Sequence, residues 1–132
     1  MKTAEELRIG NVLLFENEAQ VVSSIHSDNT IRLKKTKDDK CHGCYRVDAV
    51  TIKPIPITED WLLKFGFERT FKKLKGCYVD KHGKYMLCDN NENGFDIYIF
   101  GYDEDLYINS VNYIHQLQNL YFALTGEELI CK

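Results

Sequence analysis

Cys41-His42-Gly43-Cys44 sets two thiols three positions apart, the spacing at which two thiolates clip one zinc ion or form a redox pair. Structural zinc needs four ligands, and no second pair of this kind follows, the other candidates being His42, Cys77, Cys88 and Cys131. A thioredoxin-type pair stands at a helix N-terminus in a βαβ unit, whereas this one falls in a loop between expected strands. Cys77 and Cys88 flank a turn at His82-Gly83. A hairpin centred there makes them direct cross-strand neighbours, for which small apolar packing is the first expectation, with metal sharing or a cross-strand disulfide as alternatives. Were the loop to fold onto this hairpin, Cys41, Cys44, Cys77 and Cys88 would make a site of four thiolates, the one route to a metal-dependent or thiol-based module. Five cysteines without a secretion signal point instead to reduced thiols, and the odd number disfavours a disulfide scaffold. The expectation is a chain without cofactor.

The remaining chemistry-bearing residues do not converge. His26, His42, His82 and His115 are scattered, and neither a Gly-x-Ser-x-Gly elbow nor a glycine-rich phosphate loop is present. Asp103-Glu104-Asp105 reads as a solvated acidic turn, since the pattern of a calcium loop is missing. Basic residues are more organised. Arg32, Lys34, Lys35, Lys37 and Lys40 crowd one strand and loop, and Lys64, Arg69, Lys72, Lys73 and Lys75 alternate with Phe65, Phe67 and Phe71. Arg32, Lys34, Lys35, Lys37, Lys72 and Lys73 are the candidate contacts to nucleic-acid phosphates. The acidic residues Asp89, Glu92, Asp96, Asp103, Glu104 and Asp105 offer the alternative of internal pairing.

The elements that position these groups follow from length and patterning. A chain of 132 residues makes one ordinary domain or two very small ones, and 44% apolar residues with two prolines describe a compact chain. Residues 1–57 read as short strands at 12–15, 21–25, 30–33 and 45–52, separated by polar turns and closed by Pro54 and Pro56. That spacing favours a small barrel resembling the SH3-like barrels. Residues 58–132 begin with a helix over 59–65, capped by Thr58 and stopped at Gly66. Strands at 67–71, 77–80, 84–89, 95–100 and 106–111 then form an antiparallel meander, giving an α+β class with two helices.

The second helix spans 113–124, inside a stretch, 106–126, without a charged residue although 28% of the chain is charged. Ile114, Leu117, Tyr121 and Leu124 form its apolar stripe. The opposite side carries His115, Gln118, Asn119 and Phe122 where lysine and glutamate are usual, a candidate interface with the barrel or with a second chain in a homodimer.

Two segments, 56–68 with Trp61-Leu62-Leu63-Lys64-Phe65-Gly66-Phe67 and 113–129 with His115-Gln116-Leu117-Gln118-Asn119-Leu120-Tyr121-Phe122-Ala123-Leu124-Thr125-Gly126-Glu127-Glu128-Leu129, resemble a family of small bacterial and prophage-borne proteins. The resemblance spans most of the chain, least well in the middle strands, and implies an architecture and a mobile-element origin without a catalytic assignment. The net charge of −3 announces no partner, and the charged residues of 1–11 lack the apolar core of a signal peptide. The expectation is therefore a cytoplasmic, non-enzymatic interaction protein that meets a protein or nucleic-acid partner and no membrane.

Overall fold

The computed structural model describes residues 7–34, 46–48, 51–70, 76–92, 94–99 and 104–130. The chain divides into two compact units, Met1–Ile55 and Pro56–Lys132, and all strand pairs among the described residues are antiparallel. The class is α+β, with a curled half-barrel sheet and two helices. No helix among the described residues is long and apolar enough to cross a membrane.

In the first unit, β1 (Val12–Phe15), β2 (Glu18–Ile25), β3 (Thr30–Lys34) and β4 (Arg46–Asp48) lie side by side in chain order. Period-two alternation decides their faces: Ile31 and Leu33 are buried while Arg32 between them is exposed. Leu7, Leu13, Val22, Ile31, Leu33, Val47 and Ile52 form the core. The β1–β2 turn has Glu16 and Asn17 both at positive φ, 50° and 65°, the geometry whose twist matches that of the flanking strands. A bulge at Ser23 separates the pairs Val22–Leu33 and Ser24–Arg32. The sheet curls because Lys53, beyond the last strand, returns to the first, exchanging two backbone hydrogen bonds of 2.9 Å with Leu14. The long strand expected over 45–52 is therefore shorter. It ends at Asp48, whose carbonyl accepts from the Thr51 hydroxyl at 2.7 Å as the chain bends.

In the second unit, α1 (Glu59–Lys64) starts where Thr58 accepts the Trp61 N–H and stops before Gly66, at φ 93°. The strands β5 (Glu68–Arg69), β6 (Cys77–Val79), β7 (Tyr85–Asp89), β8 (Phe95–Ile99) and β9 (Leu106–Val111) form the meander in sequence order. The helix α2 (Ile114–Thr125) is held at its start by Gln116, whose Oε1 accepts the Tyr113 N–H at 3.2 Å, and ends at Gly126, φ 75°. Its Tyr121 ring meets Phe67 and Tyr85 edge-on, with centroids 6.0 and 6.1 Å apart, which docks the helix on one face of the sheet.

The face that α2 buries keeps Ile114, Leu117 and Tyr121 of the expected stripe but is widened toward His115 and Gln118. Ile114, Leu117, Gln118 and Tyr121, at i, i+3, i+4 and i+7, are buried together with His115, whereas Leu120 and Leu124 are only half-buried. Hydrophobicity favours a stripe of leucines, but a buried glutamine is tolerated once it has an acceptor. Gln118 Nε2 donates to the Leu129 carbonyl at 3.3 Å, so the segment after the helix folds back along it.

Candidate functional site

On the first unit, Arg32 and Lys34 share the outer face of β3, two residues apart. The register sets Arg46 of β4 directly opposite Arg32, and Ser24 of β2 opposite it on the other side. Three hydroxyls of the same sheet are committed locally. Ser24 Oγ shares a hydrogen bond with His26 Nε2 at 3.1 Å, Ser23 Oγ donates to the Arg32 carbonyl at 3.0 Å, and the Thr30 hydroxyl donates to Asp28. Lys35, Lys37, Lys72 and Lys73 lie outside the described residues. In the second basic stretch, Arg69 forms an ion pair with Glu59, and Lys64 Nζ sits 4.9 Å from the centre of the Trp61 ring. Those two cations are thus occupied within their own unit.

Cys77 and Cys88 face each other as the turn position predicts, with Cα atoms 4.2 Å apart, and the structure joins them as a cross-strand disulfide. Their direct opposition brings the sulfurs together, where small apolar packing of reduced thiols was the first expectation. Bonded to each other they are not thiolate ligands, and Cys41 and Cys44 lie outside the described residues. Among the described residues no group of three or more His, Cys, Asp or Glu side chains is placed to hold a metal ion. Alkylation of the unfolded, unreduced protein is expected to leave Cys77 and Cys88 unmodified and their peptides linked, with labelling only after reduction. Full labelling without reduction would show the pair to be open.

A buried polar group in the second unit is one that sequence reading passes over. Asp80, only 5% exposed, ends β6 and closes the turn to β7. Its Oδ1 accepts the backbone N–H groups of Lys84 and Tyr85 at 2.9 and 3.1 Å, and its Oδ2 accepts the Tyr121 hydroxyl at 2.8 Å. Burial, followed by the hydrogen bond to Asp80, raises the Tyr121 phenol well above its ordinary range. The adjacent cavity of about 160 Å³ is lined by Phe65, Phe67, Asp80, Lys81, Tyr121 and Leu129. Its carboxylate and phenol are thus both engaged in tying α2 to the hairpin. At the rim, Lys81 and then His82 hold the exposed Glu127 carboxyl below its usual range. The signal for Asp80 was available as an aspartate heading a Lys-His-Gly turn, but its buried partner, Tyr121, is 41 residues away.

The outward face and edge at β9 carry a third constellation. A bulge at Ile108 turns Tyr107 and Ser110 to the same side. The Tyr107 hydroxyl lies 2.7 Å from Ser110 Oγ, which donates to Asp96 Oδ1 at 2.6 Å, and Asn90 Nδ2 donates to the same oxygen. Tyr98 meets Tyr107 edge-on at 5.7 Å, and partial burial with the nearby Asp96 carboxylate raises its phenol. The strand is the open edge of its sheet, with Leu106 64% and Tyr107 53% exposed. Of the α2 residues expected at an interface, His115 and Gln118 are buried, with His115 stacked on Tyr113. Asn119 is half-buried, and Phe122 is 39% exposed.

Comparison with models of known protein families, with curated proteins and with solved structures finds no match for this chain.

Proposed function

We propose that this chain is a non-enzymatic interaction protein, an SH3-like barrel joined to an antiparallel meander, that associates through the open edge of the meander sheet. The resemblance of its two signatures would place it among small proteins of bacteria and their prophages. The observation that carries the reading is the contrast between the two sheet edges. The edge strand β5 is two residues long and consists of Glu68 and Arg69, a short charged edge of the kind that discourages pairing. The opposite edge, β9, has six residues, no charge, and exposed Leu106 and Tyr107. Such an edge can take up another strand, although the Ser110 N–H already donates to the Asn109 amide oxygen at 2.8 Å. Antiparallel pairing of two copies of β9 sets no charged residue of 106–111 opposite another, and the bulge at Ile108 limits the pairing to a short stretch.

A thiol-based or metal-dependent reading would need Cys77 and Cys88 as thiolates beside Cys41 and Cys44, and the disulfide removes that starting point.

Sedimentation over a wide concentration range tests the edge. The mass is expected to rise from the 15.4 kDa of one chain toward that of two, and Tyr107→Lys, which places a charge on the exposed edge, is expected to remain monomeric. A wild-type protein that stays monomeric at every concentration, or a variant that associates equally well, overturns the reading.

A further inference from the structure

We propose that the cavity beside Asp80 binds a quaternary ammonium group, its methyls against the aromatic wall and its charge met by the Asp80 carboxylate. The site uses no residue of β9 and so goes beyond association through that edge.

Size and shape come first. The cavity of about 160 Å³ lies where the chain leaving α1, the end of β6 and the segment after α2 meet within the second unit. Phe65, Phe67 and Tyr121 form its aromatic wall and are all buried, so these rings are held by the packing of the unit. Leu129 closes it, kept in place by the hydrogen bond its carbonyl accepts from Gln118. The Phe67 and Tyr121 rings stand at 73° with centroids 6.0 Å apart. Ring planes set nearly at right angles make a corner rather than a slot, which suits a rounded cation better than a flat ring. An apolar cavity of about 150 Å³ takes one benzene-sized molecule, and a trimethylammonium group has similar bulk. Aromatic faces attract such a cation through their negative potential.

Charge selects the cation. Asp80 is buried, and the donors that reach it are two backbone N–H groups and the Tyr121 hydroxyl, all neutral. A carboxylate offers about four acceptor positions, two on each oxygen, so one remains on Oδ2. Neutral donors offset part of the cost of burying the charge, and a cation in the cavity offsets more. The charged groups lining the cavity are three carboxylates, Asp80, Glu127 and Glu128, against one ammonium, Lys81. Lys81 is held at the rim by Glu127 at 3.0 Å. A primary ammonium would bring three N–H donors and a tight hydration shell, more than the one open position on Asp80 satisfies. A quaternary ammonium has no N–H to satisfy.

Amide NMR spectra recorded during titration with choline, and with its uncharged carbon isostere, test the site. Choline is expected to shift the Phe67, Lys81 and Leu129 amide signals saturably and to bind about tenfold or more tightly than the isostere. Asp80→Asn keeps an acceptor for the turn and is expected to remove most of that difference. Lys81→Gln, at an exposed rim position, removes the one ammonium and is expected to tighten choline severalfold while leaving the isostere unchanged. This second variant carries the test should Asp80→Asn fail to fold. A peptide with one trimethyllysine identifies the source of the group: tighter binding than choline assigns a modified protein, weaker binding a free small molecule. Equal affinity for choline and the isostere, absence of saturable shifts at these amides, or unchanged choline affinity in Lys81→Gln overturns the proposal. Tyr107→Lys serves as the control: choline binding that survives this variant while self-association is lost separates the cavity from the β9 edge. Self-association without choline binding defeats this proposal alone.

Discussion

Truncating Asp80 to alanine should lower the unfolding free energy by about 3 kcal/mol or more, measured as a shift in the urea midpoint with little change in slope. Three donors lose their acceptor at once: the Lys84 and Tyr85 N–H groups and the Tyr121 hydroxyl. Each buried donor left unmet costs roughly 1–3 kcal/mol, and the Lys84 N–H, being less buried, lies at the low end. Asp80→Asn is expected to cost less, because its amide oxygen still accepts from the turn and the Tyr121 hydroxyl can rotate to accept from the amide nitrogen. Equal stability of Asp80→Ala and wild type would show that the turn closes without this carboxylate.

The same network predicts an alkaline limb in stability. The folded-state pKa of Tyr121 is raised above its unfolded value, so the folded form holds the phenolic proton more tightly. Its contribution is fully present below the unfolded pKa of about 10 and is lost as pH rises from there toward the folded value. Tyr121→Phe removes the titrating group, and its stability is expected to fall less steeply above pH ~10 than that of wild type. Parallel alkaline limbs for the two proteins would assign the loss to other groups.

Leu117→Ala should cost about 2 to 5 kcal/mol, the range for deleting a buried leucine side chain and leaving a cavity. Leu117 is fully buried on the side of α2 that also carries Ile114 and Tyr121, whose ring is fixed between Phe67 and Tyr85. Those aromatic contacts hold the helix in place, so the neighbouring wall cannot collapse freely into the space. A loss below about 1 kcal/mol, against the range expected for a leucine deletion, would mean that the helix re-seats itself and that its docking is less tightly determined than the burial implies.

The strand order and the helix limits were legible in the sequence because they depend on short-range chemistry. Thr58 and Gly66 bound α1, Gly126 stops α2, and His82-Gly83 set the hairpin that makes Cys77 and Cys88 neighbours. Alternation in β3 likewise told which of Ile31, Arg32 and Leu33 face the core. These signals act within a turn or between adjacent residues, where side-chain size, φ preference and hydrogen-bonding groups leave few solutions.

Tertiary structure alone decided that Gln118 and His115 join the buried face of α2, and which partner Asp80 takes. Gln118 is buried because a carbonyl from the returning segment at Leu129 accepts from it, and no local pattern encodes that acceptor. Asp80 and Tyr121 are distant in the chain, so only the docking of α2 makes one the acceptor of the other. The register of β3 against β4, Thr30 with Asp48 and Ile31 with Val47, is likewise fixed by pairing rather than by local pattern, since a shift of one residue would turn Val47 away from the core. Periodicity reports which residues prefer burial, whereas the energy of a buried polar group depends on atoms supplied by remote segments. Those atoms acquire positions only when the sheets and helices pack.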